Sequence, residues 1–166
     1  MSTRASRLPA LLVAGAAGVV TGALYVRLGR FEISERSMTP TLQPGDYVLV
    51  DRGRRPVYRG DIVVFEHPDL PTFYMVKRIV GLPGEDLAIE SGSVLIDGIP
   101  LSEPWTTDTT GPDGAWVLGA EEAFVLGDAR ELSSGDSREI GAVPVELLRA
   151  KIVFRYWPFA RIGPVS

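Results

Sequence analysis

Nineteen consecutive residues, Leu8 to Val26, carry no formal charge, and the chain changes character after them. As an α-helix this run spans about 28 Å, close to the roughly 30 Å hydrocarbon core of a bilayer. Arg4 and Arg7 precede it, and Arg27 and Arg30 close it. A basic start and small residues also suit a cleavable signal peptide. A buried soluble helix is a weaker third option, because no polar stripe recurs at helical spacing. The run is longer than an ordinary signal-peptide apolar core and is closed by two arginines, which favours a retained anchor. Arg4, Arg7 and the terminal amine give the N-terminal side a slight excess of positive charge. That predicts a cytoplasmic N-terminus and a single-pass protein of the cell membrane, with the remaining chain on the extracytoplasmic side of the lipid bilayer.

Beyond the anchor the sequence reads as short strands cut by Gly, Pro and Asp turns. Asp46–Val50 follows Pro44-Gly45, Asp61–Phe65 follows Arg59-Gly60, and Phe73–Val80 makes a third strand. Asp86–Glu90 and Ser93–Asp97 form a hairpin across Ser91-Gly92. The stretch from Ile99 to Gly114, rich in Pro, Thr, Asp and Gly, reads as a surface excursion. Ala123–Leu126 and Lys151–Tyr156 are late strands, and Val145–Arg149 reads as one helical turn. The fold class is mainly β, a small barrel-like or folded sheet behind one transmembrane helix. The expected organisation is 1–7 as a short cytoplasmic start, 8–26 as the anchor, 27–36 as a linker, 37–160 as the catalytic domain and 161–166 as a tail.

Composition removes several chemistries. A net charge of −4 over 166 residues leaves no basic footprint for nucleic acid. With no cysteine, thiol catalysis, thiolate metal sites and a disulfide framework are excluded. The one histidine, His67, lies in a turn-like Glu66-His67-Pro68-Asp69 and reads as an exposed loop residue, so a histidine base or a dedicated zinc site is disfavoured. What remains is a serine and a lysine. Ser37 opens Ser37-Met38-Thr39-Pro40-Thr41-Leu42, directly after the anchor region. Lys77 lies on the third strand, where alternation puts it on one face with Phe73, Met75 and Ile79 while Arg78 faces the other way. Burial disfavours an ammonium and can lower a lysine pKa by as much as ~3–5 units. A neutral lysine can then take the proton of a serine hydroxyl. A lysine at a sheet edge with its head in water is the bland reading, and it would win without further motifs.

Further motifs follow in order: Gly45-Asp46, Gly81-Leu82-Pro83-Gly84-Glu85 after the lysine strand, Gly127-Asp128-Ala129-Arg130, Asp136-Ser137-Arg138, and the ending Arg155-Tyr156-Trp157-Pro158. Together with the Ser37 and Lys77 segments, this ordered set resembles the bacterial type I signal peptidases. The resemblance covers about Ile33 to Phe159 and the membrane segment before it. It implies Ser37 as nucleophile, Lys77 as general base and no cofactor. It implies exported preproteins as substrates, cut after small residues in an Ala-X-Ala pattern. By the same resemblance Met38 helps line the site, a serine after Gly127-Asp128 hydrogen-bonds the lysine amine, and Asp136, Arg138 and Arg78 hold that loop by charge-assisted contacts.

Two positions depart from the family pattern. One extra residue separates Gly127-Asp128 from Asp136-Ser137-Arg138. Counting forward from Gly127 gives Ser133 as the partner of Lys77, and counting back from Asp136 gives Ser134, the choice favoured by the firmer triplet. Many members carry a serine or small residue at the position of Glu35, where a hydroxyl can donate to the oxyanion; a carboxylate only accepts. Glu35 is therefore expected to turn to solvent or to an arginine such as Arg36 or Arg78. The leading function is a membrane-anchored serine endopeptidase that removes signal peptides. A maturation peptidase dedicated to one precursor uses the same chemistry. An inactive homologue acting as a membrane-bound binding module is the alternative from another class. A self-cleaving repressor would need a DNA-binding domain where this chain has its apolar run.

Overall fold

The computed structural model describes residues 28–53 and 56–165. The expected anchor, Leu8–Val26, lies outside them, and no helix among the described residues is long and apolar enough to cross a membrane. The described chain is mainly β. Its strands are β1 (Leu28–Glu32), β2 (Tyr47–Asp51), β3 (Ile62–Glu66), β4 (Tyr74–Gly81), β5 (Asp86–Glu90), β6 (Ser93–Ile96), β7 (Ile99–Pro100), β8 (Gly114–Val117), β9 (Glu122–Leu126), β10 (Val143–Pro144), β11 (Leu148–Trp157) and β12 (Gly163–Pro164). One short helix, α1 (Ser137–Ile140), and 3-10 turns at Val145–Leu147 and Phe159–Arg161 complete the set.

The larger sheet runs β1-β2-β11-β3-β4-β9-β10, with β12 added to β11, and a smaller one runs β7-β6-β5-β8. Apolar residues crowd both faces of the larger sheet. Val48, Val50, Ile62, Val64 and Ile152 pack with Ile33, Met38 and Leu42. Val63, Phe65, Ile79, Val125 and Val143 form a second cluster with Met75. A strand buried on both sides reads as a continuous apolar run, as Ile62-Val63-Val64-Phe65 does. A third cluster, Val80, Leu87, Ile89, Val94, Leu118, Phe124 and Leu126, ties the small sheet to β4 and β9. There Trp116 tilts against Phe124 with ring centroids 4.7 Å apart.

The hairpin across Ser91-Gly92 forms as expected, with both turn residues at positive φ, 50° and 87°. That is the two-residue geometry matching strand twist. Three expectations need revision. The segment assigned as a linker contains β1, fully paired with β2 from Leu28↔Asp51 to Glu32↔Tyr47. The segment assigned as a tail holds β12, which pairs with β11. The excursion after Ile99 is only partly a surface loop: it supplies β7 and the first residue of β8, and its Thr110 is 2% exposed. β7 and β12 are only two residues long, and β1 and β8 form through pairing with β2 and β5 rather than through a local pattern.

Candidate active site

Ser37 heads a tight turn. The Thr39 N–H donates to the Arg36 carbonyl (3.0 Å), and the Leu42 N–H to the Met38 carbonyl (2.8 Å). Met38 and Leu42 sink into the core, at 1% and 0% exposure, and fix the turn on the sheet. The Ser37 carbonyl accepts from the Ala129 N–H at 3.0 Å, which docks the turn onto the Gly127-Asp128 loop. A Cβ on Gly127 would come within 2.6 Å of that carbonyl oxygen and also strike Ser133, so this approach requires glycine.

Lys77 lies on β4, between β3 and β9, opposite Val63. It is 2% exposed. A central strand of a doubly covered sheet leaves no edge along which the side chain can reach water freely. Its amine makes no hydrogen bond or ion pair among the described residues. Burial lowers its pKa; the nearby Asp136 carboxylate partly opposes this, Arg138 reinforces it, and Glu35 and Glu139 oppose it weakly. The free amine is thereby brought closer to neutral pH than in an exposed lysine.

The loop facing Lys77 is held by charge-assisted bonds. Asp136 caps α1 through the Arg138 N–H. Its carboxylate also accepts from the Ser133 hydroxyl (2.7 Å), the Gly127 N–H (3.3 Å) and the Arg138 guanidinium (2.9 Å to each oxygen). Burial by itself would raise the Asp136 pKa, but the bonds from Arg138 and Ser133 outweigh it and the group is held below the usual carboxylate range. On the opposite face of β4, Arg78 makes a bidentate pair with Asp128 (2.8 and 2.9 Å). It also donates to the Gly60 carbonyl and, at 3.2 Å, to the Thr41 hydroxyl. Trp105 covers it, 4.8 Å from guanidinium carbon to ring centroid.

Ser37, Lys77, Gly127, Asp128, Ser133, Asp136, Arg138 and Arg78 thus converge in one region. Ser133 is buried beside Asp136, whereas Ser134 is exposed. Ser133, the residue reached by counting forward from Gly127, bonds Asp136 at 2.7 Å inside the loop. Met38 is a core side chain beneath the turn, not one open to a bound chain. Glu35 is exposed and makes no ion pair among the described residues; Arg78 is fully committed elsewhere. Sequence reasoning missed the ties from the 99–114 excursion: Arg130 pairs with Glu103 (2.5 Å) and bonds Thr110, and the Thr106 hydroxyl donates to the Asp128 carbonyl (2.7 Å). It also missed two arginines near the end of the chain, Arg155 and Arg161, which bond the Thr41–Asp46 region. No group of three or more His, Asp or Glu side chains among the described residues could hold a metal ion. Two clefts open elsewhere among the described residues, and neither is lined by Ser37 or Lys77. One, of about 570 Å³, meets Val63 and Ile79; the other, of about 760 Å³, meets Thr41 and Arg78.

Comparison with known proteins gives a consistent set of relatives. A family model described as "Signal peptidase, peptidase S26" matches residues 6–157. The signal peptidase I of Leptolyngbya laminosa is 36% identical over 162 residues, covering 86% of this chain and 74% of that protein. Subunit 1 of the mitochondrial inner membrane protease of Xenopus tropicalis is 31% identical, covering 90% and 81%. The signal peptidase I of Bacillus caldolyticus is 33% identical, covering 87% of each. A crystal structure of a signal peptidase I from Enterococcus faecalis superposes with a TM-score of 0.52 at 26% identity, over 60% of this chain and 98% of that one.

Proposed function

The chain belongs to the signal peptidase family, peptidase S26, and we propose that within it Ser37 is the nucleophile and Lys77 the general base. It is a serine endopeptidase of the signal peptidase I type, which removes signal peptides from exported preproteins. The observation that carries the dyad is the burial of Lys77 on β4, with its amine unpaired, facing the loop onto which the Ser37 turn is docked.

The neutral Lys77 amine takes the Ser37 proton as the hydroxyl oxygen attacks the carbonyl of the signal peptide's last residue. The resulting ammonium returns a proton to the leaving amine, which gives an acyl-enzyme. Water then attacks the ester, with the same amine as base. Ser133, anchored on Asp136, is the hydroxyl that orients the lysine, while Asp136 steadies the ammonium formed during attack. The Ser37 N–H donates to nothing among the described residues and supplies one oxyanion donor. Glu35, turned to solvent, stays clear of the developing charge. Small residues of an Ala-X-Ala pattern are the preferred substrate sequence. Leu8–Val26 anchors the enzyme in the membrane, with the β domain outside the cytoplasm.

The test is turnover of an Ala-X-Ala signal-peptide substrate by purified protein. Wild type cuts after the second alanine, and Ser37→Ala retains the fold and loses all measurable turnover. Cleavage by folded Ser37→Ala at the wild-type rate would remove Ser37 from the mechanism.

A further inference from the structure

The Arg155-Tyr156-Trp157-Pro158 ending plays no part in the chemistry above, yet its first residue reaches the turn that carries Ser37. Arg155 projects from β11, opposite Val48 on β2. Its Nη1 donates to the Thr41 carbonyl at 2.8 Å and to Asp46 Oδ2 at 3.3 Å, and its Nε donates to the Arg161 carbonyl. Arg161 in turn binds Asp46 Oδ1 through Nη2. Asp46 is 0% exposed and also accepts from the Gln43 N–H at 3.0 Å. One buried carboxylate therefore seats two guanidiniums, and one of these holds the far end of the Ser37–Leu42 turn.

We propose that Arg155, seated by Asp46 and Arg161, is a positioning residue for the Ser37 turn. The inference rests on Ser37 being the nucleophile. The turn has two backbone moorings to the rest of the domain: the Ser37 carbonyl on the Ala129 N–H, and the Thr41 carbonyl on Arg155. A serine that attacks without a histidine to hold it depends on its backbone for aim. A displacement of about 1 Å can cost roughly 100-fold in rate. Arginine suits the task because its planar fork serves the Thr41 carbonyl, the Asp46 carboxylate and the Arg161 carbonyl at once; a lysine keeps the charge but not the fork.

The experiment compares full-length wild type, Ser37→Ala, Arg155→Lys and Arg161→Lys on one signal-peptide substrate. Melting temperature and circular dichroism establish the folded fraction of each. The exposed pair Arg149–Glu66, far from the turn in sequence, supplies Arg149→Lys as a control for a surface arginine. Folded Arg155→Lys is expected to lose about tenfold or more in kcat. Its KM and the midpoint of its pH–rate limb stay at wild-type values, because neither substrate contacts nor Lys77 have changed. Arg161→Lys, which loosens the seat of Arg155, gives the same split with a smaller loss. A kcat within twofold of wild type for both folded variants overturns the proposal. So does a loss that appears only in KM or only in the folded fraction. If Ser37→Ala is as active as wild type, the nucleophile assignment itself fails, whatever the arginine variants do.

Discussion

At the scale of single residues, the proposed dyad requires one amine kept dry so that it can take the proton of a hydroxyl. Burial lowers the Lys77 pKa, and Asp136 limits how far it falls. Ser133 is the side chain able to mediate between them, since its hydroxyl is bonded to Asp136 at 2.7 Å inside the loop while Ser134 is exposed. Ser133→Ala should therefore lower kcat by about 100-fold, the low end of general acid–base effects. Ser134→Ala should stay within twofold of wild type. Steady-state kinetics on the two purified variants checks this, and the reverse order would reassign the lysine partner. The sequence left the choice open because an inserted residue shifts one count against the other. What separates the two serines in the fold is the hydrogen bond of Ser133 to Asp136 and the exposure of Ser134.

At the scale of elements, β4 joins the two halves of the account, presenting Lys77 to one face and Arg78 to the other. Arg78 and Asp128 are both buried, so removing one partner leaves an unpaired charge in the interior. Arg78→Met should destabilise the domain by about 3–5 kcal/mol, as expected for breaking a buried pair, and chemical denaturation reads it directly. A loss under about 1 kcal/mol would mean that the pair behaves like a surface bridge. The main strands were legible in the sequence because turns bounded by Gly and Pro separate runs of Val, Ile and Phe. β1 and β8 were not, since each is short and pairs with a strand fifteen or more residues away, and β12 is only two residues long. Arg130 looked like a polar loop residue, because its partners Glu103 and Thr110 lie 27 and 20 residues upstream. Arg155 and Arg161 were hidden for the same reason: nothing local marks an arginine whose acceptors are over a hundred residues away.

At the scale of the whole molecule, we propose that the apolar run holds the β domain at a membrane surface. β1 starts two residues after the run ends, so under that proposal the domain would sit close to the membrane. Protease added outside spheroplasts should digest the β domain and spare the first residues; protection until lysis would reverse the orientation. The central claim is that a buried, neutral Lys77 activates Ser37, and the pH dependence of kcat/KM for wild type, set beside Lys77→Arg, tests it most directly. For wild type, kcat/KM should rise with pH as Lys77 loses its proton, with a midpoint below the ordinary lysine value of 10.5. Lys77→Arg should be folded and inactive throughout, since a guanidinium keeps its proton. A folded Lys77→Arg enzyme that cleaves with the wild-type profile would contradict the account.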